Sequence, residues 1–386
     1  MKNKKIIFVF ASMFATSVGM GLLTPFISLY SKLSFNATGI WLGIIFSGFS
    51  ISKIITTPFI GFASDKKSKK KVLQIGAILY SFIPFAYMYA DTIYTLLIVR
   101  LLHGFSSAFM TPIIIAYLGD ISPKGEEGRY MALLNLPLFL GAGIGPFLGG
   151  ILIDREIRYL FYLMEIFFLT ILLMTSLFPD IKKSGISSVQ NYSITQSLKD
   201  HKTLILIVFG FLNSLSRCLI IFFVPIFAYI SLNLDGYQIG AIFSLATITS
   251  FLLQYPFGMA SDRLPKLGLI LLGSFIYTFT LFLMPFSRYF WDLLFLTLIF
   301  NIGNALTAPA SMGAATIIGK DLGVGTTVGL VDTSMSIGMI VGPILAGVIM
   351  DLSSIERTFY LIGMMNIIGL IVIYLLKAKL SENRNF

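Results

Sequence analysis

One cysteine and two histidines are all that this chain of 386 residues offers for thiol and imidazole chemistry. Cys218 alone can form no intramolecular disulfide and no cysteine-rich metal site, and His103 and His201 are too few for a zinc motif. The sequence therefore predicts neither a metal nor a cofactor. Charge is also scarce, at 12% of residues against about 25% in a typical soluble domain. Water is not the main solvent of this chain. No nucleophile–base set and no phosphate-binding glycine loop stands out, which argues against an enzyme. Period-two alternation is missing as well, so a closed membrane barrel is excluded.

What the chain has in quantity is apolar sequence, 56% of its residues. Runs of 18 or more apolar residues recur along its whole length, each able to cross a hydrocarbon layer of about 30 Å as a helix. Twelve spans are expected, at about 6–30, 39–63, 72–90, 93–119, 129–153 and 159–178, then 203–231, 236–260, 267–287, 290–318, 326–350 and 355–376. The first run follows a basic start, but it is too long for a signal peptide and has no convincing cleavage site. The polar stretch 179–202 is the longest non-apolar segment and separates a half at 1–178 from a half with a short tail at 203–386.

The formal charge of +10 has a topological meaning. With both termini on one side, that side collects 20 of the 28 basic residues, among them Lys66, Lys67, Lys69, Lys70, Lys71, Lys124, Arg129, Lys182, Lys183, Arg263, Lys379 and Arg384. The positive-inside rule then places both termini in the cytoplasm, in a multi-pass protein of the plasma membrane. Charge used in this way does not point to nucleic acid.

The two halves repeat at an offset of 197 residues. Asp65 meets Asp262, Pro112 meets Pro309, Gly141 meets Gly338, and Gly145-Pro146 meets Gly342-Pro343. Asp154 meets Asp351, and Gly43-Ile44-Ile45-Phe46-Ser47 meets Gly240-Ala241-Ile242-Phe243-Ser244. Such self-similarity predicts two six-helix bundles in parallel orientation, with a transport path between them.

The loop Gly61-Phe62-Ala63-Ser64-Asp65-Lys66-Lys67-Ser68-Lys69-Lys70-Lys71 carries the first family signature. Gly61, Asp65, Lys66, Lys69 and Lys70 match the Gly-x-x-x-Asp-Arg/Lys-x-Gly-Arg/Lys-Arg/Lys loop of the major facilitator superfamily, with Ser68 where glycine is usual. Asp262 and Arg263 form a weaker second copy. The chain resembles that family over essentially its whole length. The resemblance implies an all-α integral membrane fold of twelve helices in two pseudo-symmetric bundles, working by alternating access, as a monomer. It also implies that Asp65 bridges toward the start of the eleventh span, with Arg129 and Asp120 in the same charge cluster.

Span 5 contains Gly141-Ala142-Gly143-Ile144-Gly145-Pro146-Phe147-Leu148-Gly149-Gly150. It resembles the antiporter motif of proton-driven drug exporters, and small residues at this spacing also let helices pack closely. Arg100-Leu101-Leu102-His103-Gly104 in span 4 resembles the family's Arg-x-x-Gln-Gly element, with His103 in place of glutamine. In the family this arginine is implicated in proton coupling. His103 is either a titratable neighbour or a hydrogen-bonding residue between helices.

The remaining intramembrane charges are Lys53, Glu165, Arg217 and Asp332. Proton coupling needs a carboxyl that loads and releases a proton near neutrality, and span 1 contains no acid. Asp332 is the first candidate, because span 11 is expected to line the path between the halves, and Glu165 the second. Asp332 serves either coupling or a gate pair with Lys53, and Glu165 either coupling or a structural pair. Asn213, Arg217, Asn301, Asn304 and Lys53 are expected to line the substrate cavity. These readings predict proton-coupled efflux of hydrophobic or amphipathic small molecules. The alternative is a uniporter or symporter of a small metabolite or sugar, or lipid efflux. With no ATP-binding motif, uphill transport draws on an ion gradient.

Overall fold

A computed structural model describes residues 2–66, 68–123, 126–178 and 194–378. Lys67, Lys124, Lys182, Lys183, Lys379 and Arg384 of the charge count lie outside them, as do 179–193 of the expected linker and the tail from 379. Every element among the described residues is helical. Among the described residues, twelve helical segments are long and apolar enough to cross a membrane: spans 1 to 6 at Ile6–Phe35, Gly39–Lys66, Lys69–Met88, Ile93–Ile121, Arg129–Ile153 and Ile157–Ser176; spans 7 to 12 at His201–Leu232, Gly236–Arg263, Lys266–Phe286, Phe290–Lys320, Val324–Leu352 and Ile355–Ala378. A short helix, Ile194–Lys199, follows the undescribed part of the linker, and the Asp200 carboxylate then caps span 7 by accepting from the Thr203 amide at 2.8 Å.

The expected boundaries lie close to these, except at the end of span 1. Ser31 and Lys32 lie beyond the expected end near 30, yet the helix Ile27–Phe35 contains them. It does so because the Ser31 hydroxyl donates back to the Ile27 carbonyl and Lys32 Nζ to the Ala37 carbonyl. Asn36 ends it in the left-handed region, φ 50°, which asparagine tolerates better than most residues. Asn233, at the repeat offset, ends span 7 in the same way with φ 52°.

The repeat is less regular in backbone than in sequence. Span 1 breaks near Pro25 and span 4 breaks between Ser107 and Thr111, ahead of Pro112. Pro309, the partner of Pro112, stays inside the continuous helix Phe290–Leu322, and Pro225 inside His201–Leu232.

The chain forms two compact units. Unit 1 comprises 1–37, 44–186 and 234–244; unit 2 comprises 38–43, 187–233 and 245–386. The segments 38–43 and 234–244 contain the starts of spans 2 and 8. In unit 1, span 1 packs on spans 5 and 6, and span 3 on spans 4 and 6. In unit 2, span 7 packs on spans 11 and 12, and span 9 on span 10. Ile205, Leu206, Phe209, Ile270, Ala314 and Ile373 are among the residues of its buried core.

Lipid tails are as apolar as leucine, so helix association here rests on close packing rather than on escape from water. The span 5 glycines show how close. A Cβ on Gly145 would lie 2.7 Å from Gly21 Cα and 2.8 Å from the Val18 carbonyl oxygen, and one on Gly141 would lie 2.8 Å from the Phe14 carbonyl oxygen. Gly149 meets the Leu22 backbone. Unit 2 repeats the device where Gly338 meets the Phe211 backbone and Gly342 meets Leu215. A methyl group on Gly61 or Gly258 of the loop motif, by contrast, would meet nothing within 4 Å.

Gly145→Val should therefore lower thermal stability in detergent by several degrees, as overpacking costs about 1–3 kcal/mol. Gly61→Ala should leave the melting temperature unchanged. Equal melting of the two variants would refute this account of span 5.

Candidate functional site

Unit 1 encloses a cluster of polar and aromatic side chains on span 4. A reciprocal Thr92–Thr95 capping box starts that helix, and the three-residue spacing of Arg100 and His103 puts both on its buried face, 3% and 1% exposed. Arg100 Nε donates to the Ile45 carbonyl at 3.2 Å, and Nη1 to the Tyr87 hydroxyl at 3.4 Å. Its guanidinium lies 5.0 Å and 4.8 Å from the ring centroids of Phe46 and Phe49. The Tyr87 hydroxyl also meets His103 Nδ1 at 3.0 Å. Tyr30 holds Tyr87 from the other side, its hydroxyl donating to the Tyr87 carbonyl at 3.2 Å. Lys53 Nζ sits 5.9 Å from the Phe49 centroid.

Five buried polar side-chain atoms of this unit have no hydrogen-bond partner among the described residues: the hydroxyls of Ser28, Ser50 and Ser244, and two on titratable groups, His103 Nε2 and Glu165 Oε2. Glu165 is 8% exposed and projects from the face of span 6 that carries Phe161 and Phe168. Phe161 stacks on Tyr87 and Phe168 packs on Tyr80, so the acid faces the same aromatic cage. Neither Arg100 nor Glu165 forms an ion pair among the described residues. The structural pair allowed for Glu165 is not formed there.

The loop motif is only partly assembled. Lys69 Nζ meets Asp120 Oδ2 at 2.6 Å and joins span 3 to span 4. Arg129 does not join them. With Lys69 already on the Asp120 carboxylate, Arg129 lies exposed and pairs with Glu126, one turn away, at 3.4 Å. Asp65 is exposed with no ion pair among the described residues, and Lys66 covers the Phe62 ring at 4.1 Å. Asp262 and Arg263 are likewise exposed. Lys70 is half-buried.

In unit 2 the amides of spans 7 and 10 are joined. Asn213 Nδ2 donates to Asn304 Oδ1 at 2.7 Å, and Asn301 Oδ1 accepts from the Ser250 hydroxyl at 3.1 Å. Each span 10 amide nitrogen donates to a carbonyl one turn back, that of Phe300 or Thr297. Arg217 and Asp332 are both exposed, and neither forms an ion pair among the described residues. No group of three His, Cys, Asp or Glu able to hold a metal occurs among the described residues.

The sequence marks Asp154 and Asp351 as a repeat pair without giving them a role. Within unit 2, the Asp351 carboxylate accepts from the Gly39 amide at 2.5 Å and the Ile40 amide at 2.8 Å. Within unit 1, Asp154 accepts from the Gly236 amide at 2.6 Å and the Tyr237 amide at 2.8 Å. Gly39 and Gly236 are themselves 197 residues apart, a signal of the caps that the repeat already carries. Each carboxylate satisfies two open N–H groups at a helix start and faces its positive dipole end. Tyr87 has no such signal, because nothing local shows which tyrosine will meet Arg100.

Asp351→Ala should leave the Gly39 and Ile40 amides open, at about 0.5–2 kcal/mol for a lost cap. Amide exchange over 39–42 should then accelerate about tenfold by mass spectrometry. Unchanged exchange would show that another group caps span 2.

The model of the Major Facilitator Superfamily matches residues 9–203 and 206–385. An uncharacterized MFS-type transporter, MJ1560, of Methanocaldococcus jannaschii is 28% identical over 97% of this chain and 98% of its own. The quinolone resistance protein NorA of Staphylococcus aureus is 26% identical over 98% of this chain and 99% of its own. Among solved structures, the nucleoside transporter NupG superposes with TM-score 0.81 at 13% identity, covering 97% of this chain and 98% of its own. Matched by the family model along both halves and built of twelve membrane-length helices, the chain belongs to the Major Facilitator Superfamily and is a transporter, not an enzyme.

Proposed function

We propose that this protein is a proton-coupled exporter of hydrophobic or amphipathic small molecules, working by alternating access as a monomer in the plasma membrane with both termini cytoplasmic. One observation carries the reading. Within unit 1, at membrane depth, a carboxyl and an imidazole are enclosed with one polar atom each unpartnered among the described residues, beside an arginine that has no acid on it. Structural ion pairs would neutralise such groups. Groups left open are available to take up and pass on a proton as solvent reaches or leaves them. The full-length similarity to NorA, whose name records quinolone resistance, and the antiporter-type glycines of span 5 support export.

Glu165 is the first candidate for the proton-carrying acid, because Asp332 is exposed and lies short of its helix midpoint. Arg100 and His103 would assist through Tyr87, which touches both. A second reading, a uniporter or symporter of a small metabolite, is favoured by the lack of any acid in span 1.

The test is purified protein in liposomes with an imposed pH gradient and an internal pH dye. Lipophilic compounds added in turn should collapse the gradient, and Glu165→Gln should abolish the collapse while the variant still binds substrate. Solute flux without proton movement would overturn antiport. Coupling retained in Glu165→Gln and lost in Asp332→Asn would move the proton to Asp332.

A further inference from the structure

The repeat supplies a control for the polar cage of unit 1. At the offset of 197 residues Tyr80 meets Tyr277, but Tyr87, Arg100, His103 and Glu165 meet Met284, Thr297, Phe300 and Ile362. All four of these are buried. Phe300 packs on Tyr277 with ring centroids 5.6 Å apart, as His103 packs on Tyr80 at 5.4 Å. In unit 2 the same place in the fold is thus closed by a phenyl ring and its neighbours. Packing alone does not call for an imidazole, a guanidinium or a carboxyl in unit 1.

The donors present decide where the protons of the cage sit. A guanidinium only donates, so the Tyr87 oxygen is the acceptor for Arg100 Nη1 at 3.4 Å. Tyr87 is fully buried, and its one hydroxyl proton needs an acceptor. His103 Nδ1, at 3.0 Å, is the acceptor in reach among the described residues. Nδ1 is then bare, and a neutral ring carries its proton on Nε2. The unpartnered Nε2 is therefore an open donor. An imidazolium, or the other tautomer, would turn Nδ1–H onto the oxygen that Arg100 already uses and strand the phenol proton.

The open acceptor of the same cage is Glu165 Oε2. One turn beyond Glu165 on span 6, Phe168 packs on Tyr80 and meets the His103 ring edge-on at 6.4 Å. One turn before it, Phe161 stacks on Tyr87. The other titratable groups around His103 are Arg100 on its own helix, Tyr80 and Tyr87 of span 3, and Lys53 of span 2, which shares the Phe49 ring with His103. Tyr30 of span 1 stands behind Tyr87. Glu165 is the carboxyl among them.

We propose that Tyr87 is a positioning residue for proton coupling: held by Arg100, it fixes His103 as a neutral donor whose Nε2–H is given to the Glu165 carboxylate once that acid has released its proton. Glu165 carries the proton and His103 carries none. The protonated acid needs no such donor, whereas a carboxylate enclosed among aromatic rings does. The charge-assisted bond forms and breaks with the proton, so the loaded and unloaded cage differ by one contact between spans 4 and 6. This deepens the coupling reading and rests on it.

The test is magnetic resonance of isotope-labelled histidine nitrogens in the full chain, in a His201→Gln background so that one ring reports. The ring should keep a bare Nδ1 and a protonated Nε2 between about pH 5.5 and 8, where an ordinary histidine titrates. Its Nε2–H signal should move as Glu165 ionises, and Glu165→Gln should abolish the movement. Tyr87→Phe should let both tautomers appear. An Nδ1–H tautomer, an imidazolium in that interval, or a single tautomer kept in Tyr87→Phe overturns the proposal. So does a movement that is absent with Glu165 in place or persists in Glu165→Gln.

In the liposome assay, His103→Phe should slow substrate-driven gradient collapse about tenfold, as for a lost hydrogen bond to a charged group. His103→Gln, which keeps a donor and an acceptor but cannot titrate, should recover most of the rate. Melting curves establish that both are folded; should Phe unfold the protein, Gln and the spectra decide. No collapse at all in His103→Gln, with collapse in the wild type, makes His103 the carrier and overturns this proposal alone. No collapse by the wild type with any compound overturns the coupling reading and the proposal together.

Discussion

A helix that starts inside or beside a membrane has no water to satisfy its first N–H groups, and the rest of this structure is arranged around that constraint. The two carboxylates that meet it, Asp154 and Asp351, come from distant sequence. Each takes two amides at 2.5–2.8 Å from the first turn of a span that starts with glycine. Side chains at Gly39 or Gly236 would collide with the Gly347 or Gly150 backbone, so glycine is what lets the turn come near enough to be capped. Residues 38–43, with the capped start of span 2, belong to the unit of Asp351, and 234–244, with that of span 8, to the unit of Asp154.

The same need for close approach explains the glycine-rich stretches of spans 5 and 11. Their bare backbone faces span 1 and span 7 respectively, at distances that leave no room for a methyl group. A motif associated with antiport is thus also a packing surface, and its second copy in span 11 does the same work. The open surroundings of Gly61 and Gly258 contrast with this. Packing does not require those glycines in this conformation.

Charge follows a different logic. Near the membrane edge, ions find ions: Lys69 with Asp120, Arg129 with Glu126. Among the described residues, Arg100, Glu165 and Arg217 do not at depth. Arg100 leans on carbonyl, phenol and aromatic faces, Glu165 keeps an enclosed oxygen unpartnered among the described residues, and Arg217 stands exposed. An unpaired charge at that depth is costly, and a transporter has a use for groups whose partners arrive with the substrate or the proton.

The twelve spans are legible in the sequence because hydrophobic length is a local property, and the repeat because an offset needs no structure to be counted. Span 1 reads short, since Ser31 donates back to Ile27 within the helix and Lys32 to the Ala37 carbonyl just past its end, in a way that composition does not reveal. Arg100 and His103 stand out from their own motif, but Tyr87, which touches both, comes from another span and is assigned only by packing. Resemblance assigns Arg129 to the Asp120 cluster, while the structure places Lys69 there. By itself, then, the sequence determined the membrane architecture and its duplication, because burial in lipid selects residues one helix at a time. Only the tertiary structure decided which charges meet and which stay alone, because that depends on atoms brought together from helices far apart in the chain.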